Sequence, residues 1–208
     1  MYGGVDLSRF RYIPRKLPKK GPIRFLAVGR FVSKKGFDDL IDAFAILRKK
    51  YKNVHLTLIG EGESLSIYRR KIRKYRLQNH VHIKPWVNYH RIQNEYYRAH
   101  IFCAPSKTDS SGNQEGIPNT LKEAMATGMP CIATSHAGIP EIMKNGKTGV
   151  LVQEGNIKQL SNAMKTMISK PKSWKQFGLS ARLKIVKDFN LVIQLSKQKS
   201  YYDQLLIK

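Results

Sequence analysis

Short runs of apolar, β-branched residues alternate with longer stretches whose apolar positions recur every three or four residues. The short runs predict strands over 23–28, 54–59, 81–87, 100–104, 130–134 and 149–152. After Gly36, the residues Phe37, Leu40, Ile41, Phe44 and Leu47 fall on one helical stripe. Asp38, Asp39 and Asp42 lie early in that stretch and Arg48, Lys49 and Lys50 late, the charge order that complements a helix dipole. Further helices are predicted over 64–77, 90–99, 119–127, 156–168, 173–187 and 191–206. Strands alternating with helices require a parallel sheet covered on both faces. With right-handed crossovers, the expected fold class is α/β, a doubly wound, Rossmann-like domain. The first twenty or so residues, ending in PRKLPKKGP, read as an exposed linker entering the first strand.

In such a sheet, ligands bind beyond the carboxyl ends of the strands, where loops lead into helix N-termini. The loops at 29–36, 60–64, 105–119 and 135–140 are rich in Gly, Ser, Thr or Asn. Gly60-Glu61-Gly62 opens like a dinucleotide fingerprint, but the third glycine and the later acidic residue are missing. Gly146-Lys147-Thr148 resembles the end of a P-loop, yet it precedes a strand and lacks the earlier glycine, so it reads as a turn. The six histidines show no metal-binding spacing with a general base, and no serine sits in a nucleophile elbow. No metal is expected.

The segment 105–130 stands apart. If a helix starts near Pro118 or Asn119, Glu115 lies in the loop before it and Glu123 one turn inside. Pro118 suits an early helical position, and Asn119 or Thr120 can cap. The free N–H groups of such a first turn form an anion site. A carboxylate beside it suits the hydroxyls of a sugar, although a pair of glutamates by itself is equally a solvated surface.

Composition narrows the class. With 41% hydrophobic residues in 208, the chain can bury a core and is no disordered basic tail. It contains no apolar run long enough for a membrane span, and MYGGVDLSRF lacks the apolar stretch of a signal peptide. Cys103 and Cys131 each sit in an apolar run, as reduced core thiols of a cytosolic protein would. The charge is lopsided, 38 Lys+Arg against 14 Asp+Glu, formally +24. That excess suits a solvated face, an anionic membrane, a phosphorylated ligand or a nucleic acid. RRKIRKYR and YHRIQNEYYR make a basic nucleic-acid-binding α/β module the alternative function, but no helix-turn-helix, zinc or RNP-type motif accompanies them.

The segment EGIPNTLKEAMATGMPCIATSHAGIPEIMKNGKTGVLV resembles the donor-nucleotide half of the family 4 retaining glycosyltransferases, of the colanic-acid and capsule type. YGGVDLSRF is similar to their interdomain linker, FLAVGRFVSKKGFDDLIDAF to the first strand, phosphate loop and helix, and LTLIGEGES to the next strand and turn. FNLVIQLSKQKSYYDQLL is similar to the last helix, which in the family crosses back to the other domain. The resemblance implies one half of a GT-B fold: linker 1–20, donor-binding domain 21–188 and crossing helix 189–208. It implies hexosyl transfer from a UDP- or GDP-sugar to a saccharide or lipid-linked acceptor in surface polysaccharide biosynthesis. No cofactor, metal or nucleic acid takes part. The location implied is cytoplasmic, with peripheral contact at the anionic inner face of the cell membrane.

By the same resemblance, Arg30 and Lys35 hold the donor diphosphate, next to Gly29 and Gly60. Glu115 lies by the donor sugar, and Glu123 accepts from the ribose hydroxyls. Backbone N–H groups from Gly116 to Thr120, with Ile117 and Asn119 among them, face the sugar and phosphates, Pro118 removing one donor. Glu115, Arg30 and Lys35 carry the catalytic roles. The base rests against 84–87, at Val87, where Trp86 either stacks on it or is buried in the core. The family's amino-terminal acceptor domain is absent from this sequence, so the chain alone is expected to bind a donor and transfer nothing.

Overall fold

The computed structural model describes residues 2–88 and 90–206. Strands β1 (Ile23–Val28), β2 (Val54–Ile59), β3 (Val81–Lys84), β4 (Ile101–Ala104), β5 (Cys131–Thr134) and β6 (Val150–Val152) form one parallel sheet. Its order is β3-β2-β1-β4-β5-β6. The helices are α1 (Phe37–Lys50), α2 (Leu65–Lys74), α3 (Ile92–Arg98), α4 (Asn119–Ala126), α5 (Ile139–Ile142), α6 (Ile157–Ser169), α7 (Ser173–Asp188) and α8 (Leu191–Leu206). The first two strands match the expected bounds. β3 ends at Lys84, short of 87, because Pro85 has no N–H to give to the ladder.

Side chains alternate across the sheet, so each strand feeds two cores. Phe25, Ala27, Leu56, Leu58, Cys103 and Ile132 meet α1, α2 and α6 on one face. Leu26, Val28, Phe102, Ala104, Cys131 and Ala133 meet α3, α4 and α7 on the other. Strands buried on both faces read as continuous apolar runs, which is why IFCA and CIAT are legible as strands. Both cysteines are free and buried, and burial pushes both thiols far up, leaving them inert.

The segment before β1 departs from the exposed linker expected. It carries only an isolated bridge, Val5 to Asn190, yet Val5, Phe10 and Arg15 are buried. The Arg15 guanidinium donates to the carbonyls of Tyr96 (2.8 Å) and Ala99 (3.1 Å), and to Thr127 Oγ1 (3.3 Å). These oxygens lie at the carboxyl ends of α3 and α4, where helix dipoles favour a cation. Burial without a carboxylate partner lowers the Arg15 pKa to about 10. Arg182 of α7 donates to the Phe10 and Ala126 carbonyls at 2.7 and 2.8 Å, strapping the same segment to α4.

Gly60 follows β2 with φ +150°, and a Cβ there would stand 2.0 Å from the Gly29 carbonyl oxygen. The missing side chain lets the loops after β1 and β2 meet, as does Gly62, where a Cβ would stand 2.5 Å from the Phe31 carbonyl oxygen. Gly60→Ala is expected to destabilise the fold by about 2–3 kcal/mol, lowering Tm by roughly 5–10 °C in thermal denaturation. An unchanged Tm would mean the two loops do not meet in solution.

Candidate donor-binding site

Between β1 and β4 the chain turns to opposite faces of the sheet: α1 packs into one core and α4 into the other. The loops at the carboxyl ends of these two strands part there, opening a crevice at the switch point. A 3₁₀ turn, Ser33–Lys35, and Gly36 lead into α1 on one side. Gly36 has φ +65°, and a Cβ on it would overlap the Pro105 carbonyl oxygen at 1.9 Å, so this turn sits directly against the loop after β4.

That close approach brings sequence-distant charges together. Lys35 Nζ lies 3.0 Å from Glu115 Oε1, both side chains largely buried. Lys34 Nζ is 4.0 Å from Glu115 Oε2 and donates to the Gln114 carbonyl at 3.2 Å. Gly29 lies against the Lys35 stem. Arg30 is exposed and has no ion pair among the described residues, so its charge is unspent. Lys107 is spent, lying 2.8 Å from Asp38 and 3.0 Å from Asp39.

α4 starts at Asn119 with Pro118 as its N-cap, at φ −61° and ψ 128°. Neither Asn119 nor Thr120 caps it, contrary to the sequence reading. The extended Pro118 backbone places its own carbonyl to accept from Leu121 (3.1 Å) and Lys122 (3.2 Å). The Asn119 and Thr120 N–H groups have no acceptor among the described residues. They face the same end of the sheet as Lys35. Gly116 is exposed, while Ile117 packs against Gly138, where a Cβ would lie 2.8 Å from Ile117 Cγ1.

Glu123 sits one turn into α4 and accepts from the Tyr96 hydroxyl at 2.7 Å. Burial raises its pKa, opposed by that hydrogen bond and by Arg9 and Lys122. Val87 is half-buried beside the second core, on the loop after β3. Trp86 is 55% exposed, which removes the core reading for it. Its backbone N–H donates to Glu61 at 3.3 Å.

Two residues bonded to the candidate site escaped the sequence. His136, in the loop after β5, and Glu154, after β6, are 2.7 Å apart, and His136 Nε2 accepts from the Glu115 N–H at 3.1 Å. The 135–140 loop is conspicuous for its glycine and serine content, but a search for metal spacing passes His136 by.

The crevice itself is shallow. A cavity of about 10 Å³ lies among Val28, Lys35, Phe102, Ser106, Pro118 and Thr120. A larger hollow of about 450 Å³ lies elsewhere, on the face of β1–β3 over Arg24, His55 and His82, where α3 is too short to cover the sheet. Volume favours the hollow. Chemistry favours the crevice, where free N–H groups, a helix N-terminus and cations converge.

A carboxyl with a raised pKa stabilises the fold while protonated, and that contribution is lost as pH rises through the raised value. Glu123→Gln keeps an acceptor for Tyr96 without the charge. It is expected to raise Tm by roughly 2 °C at pH 7, the gain vanishing as pH falls toward 4. Thermal melts at both pH values check this.

The comparisons agree with this geometry. Residues 8–184 match the family described as glycosyl transferases group 1. A protein of Escherichia coli (strain K12) named as a colanic acid biosynthesis glycosyltransferase, WcaL, is 34% identical over 161 residues, covering 77% of this chain and 39% of its own length. The solved C-terminal domain of a group 1 family glycosyl transferase, LpcC from Francisella tularensis, superposes with a TM-score of 0.75 at 22% identity, over 90% of this chain and 100% of that one. Anabaena Alr3699/HepE, solved with UDP and glucose, gives a TM-score of 0.82 at 20% identity, over 96% of this chain and 56% of that one. The chain spans less than half the length of curated relatives it matches, 39–47% of each. Its fold is one Rossmann-like half of the GT-B architecture, and the chain belongs to the group 1 glycosyl transferases.

Proposed function

We propose that this chain is the donor-binding half of a glycosyltransferase: it holds the nucleoside diphosphate of a sugar donor in the crevice between β1 and β4. The observation that carries the reading is the convergence there of Lys35, the exposed Arg30 nearby, and the unbonded Asn119 and Thr120 N–H groups. Cleaving the bond between sugar and phosphate leaves negative charge on the departing diphosphate. Cations and helix N–H groups fixed beforehand stabilise that charge. In this reading the side chains meet the charge and no metal is required.

Glu115 holds Lys35 through Oε1 and turns Oε2, 4.0 Å from Lys34, to accept from a sugar hydroxyl. Glu123 is aimed at the ribose. The base rests near Val87, with the exposed Trp86 ring beside it. HepE, a fold neighbour, is solved with UDP and glucose, which makes a uridine nucleotide the first ligand to try.

Transfer needs a second domain over the open crevice to bring a saccharide or lipid-linked acceptor, so the chain alone binds donor without turning it over. Apolar residues left exposed on α7 and α8, among them Leu183 (59%), Val192 (69%) and Leu195 (54%), support a covering surface elsewhere. The name of WcaL, a colanic acid biosynthesis glycosyltransferase, supports polysaccharide biosynthesis as the setting. The +24 charge suits work in the cytoplasm beside an anionic membrane.

Calorimetric titration with UDP, GDP and ADP tests the binding. One diphosphate is expected to bind, with Arg30→Ala and Lys35→Ala each weakening it about tenfold. Binding of a short oligonucleotide instead, with a steep salt dependence, would overturn the reading.

A further inference from the structure

The loop from Pro105 to Pro118 carries Glu115, Gly116 and Ile117 into the crevice, and it has no helix or strand to hold it. Two backbone N–H groups near its ends are instead tied to one pair of side chains. Thr108 N–H donates to Glu154 Oε1 at 2.5 Å, and Glu115 N–H donates to His136 Nε2 at 3.1 Å. His136 Nδ1 and Glu154 Oε2 are 2.7 Å apart, which closes the chain of bonds. The His136 side chain is 1% exposed, so water cannot substitute for either partner.

The donors and acceptors settle the proton. A nitrogen that accepts from a backbone N–H has its lone pair free and carries no hydrogen. The ring's hydrogen is therefore on Nδ1, pointing at Glu154, whose carboxylate fixes the tautomer. Glu154 in turn is held ionised: the Thr108 and His136 hydrogen bonds lower its pKa against the effect of burial. Lys35 and Lys34 face the Glu115 carboxylate and not the ring, so the ring's only charged partner among these groups is Glu154.

We propose that His136 is a positioning residue for donor binding: held as its Nδ1–H tautomer by Glu154, it fixes the Glu115 amide, and the pair clamps the loop at Thr108 and Glu115. The clamp sets where the Glu115 carboxylate and the Gly116 and Ile117 backbone stand relative to the α4 N-terminus. The catalytic groups are others; His136 acts through the loop. The link to donor binding rests on the function proposed above, whereas the clamp itself does not.

Two side chains separate this role from mere filling of space. In His136→Gln an amide oxygen reaches the position of Nε2 and can accept from Glu115. In His136→Asn the shorter amide reaches the position of Nδ1 and can donate to Glu154, but nothing accepts from Glu115. UDP affinity is expected to fall less than threefold in the first and about tenfold or more in the second. Amide hydrogen exchange at Glu115 is expected to accelerate at least tenfold in His136→Asn and to stay near the native rate in His136→Gln. A nitrogen-15 spectrum of the unsubstituted chain should show the His136 ring with hydrogen on Nδ1 and none on Nε2.

An Nε2–H tautomer, or equal exchange in the two variants, would overturn the clamp. The expected difference in exchange, with equal nucleotide affinity in both variants, would overturn its link to donor binding. If the unsubstituted chain binds no nucleotide, the donor reading fails, while exchange and tautomer still judge the clamp.

Discussion

The reversal of strand order between β1 and β4 is the constraint on which the site depends. Parallel strands oblige each connection to cross a face of the sheet, and right-handed crossovers send α1 one way and α4 the other. The loops at that junction cannot pack against each other along their whole length. What remains is a crevice whose walls are the 3₁₀ turn before α1 and the loop before α4. Its polarity follows from the same geometry, because every helix after a parallel strand starts at this end of the sheet and presents N–H groups there.

The charge of the crevice is set by exclusion as much as by supply. Lys107 is absorbed by Asp38 and Asp39, and Lys34 and Lys35 face Glu115, so among these described residues the unpaired charge is that of Arg30, beside the α4 N-terminus. The scaffold tolerates this because two close backbone approaches, Gly36 on Pro105 and Gly60 on Gly29, draw the loops inward. The segment before β1 works from behind. Arg15 gives its guanidinium to carbonyls at the ends of α3 and α4 and so fixes the two helices that carry Tyr96 and Glu123.

The architecture was legible because it is periodic. Strand runs such as IRFLAV and VHLTLI and the Phe37 to Leu47 stripe each repeat a local rule, and local rules can be read without knowing partners. Lys35, Glu115, Asn119 and Thr120 were legible as a set through the family resemblance of the motifs that carry them, and the fold brings them to one end of the sheet. What escaped has no period. α5 is four residues long, too short for a stripe. His136 and Glu154 meet across 18 residues, and Arg15 meets Thr127 across 112, so nothing local marks either contact. Trp86 suits core or surface equally by its sequence, and only the fold shows it exposed, just past the end of β3.

Amide chemical-shift mapping with UDP tests the central claim most directly, because it locates a ligand without relying on any variant. Perturbations concentrated at Gly29, Arg30, Lys35, Glu115 to Ile117, Asn119 and Thr120 are the result this account predicts. Perturbations centred on Arg24, His55 and His82, over the larger hollow, would contradict it and move the site to the opposite part of the sheet.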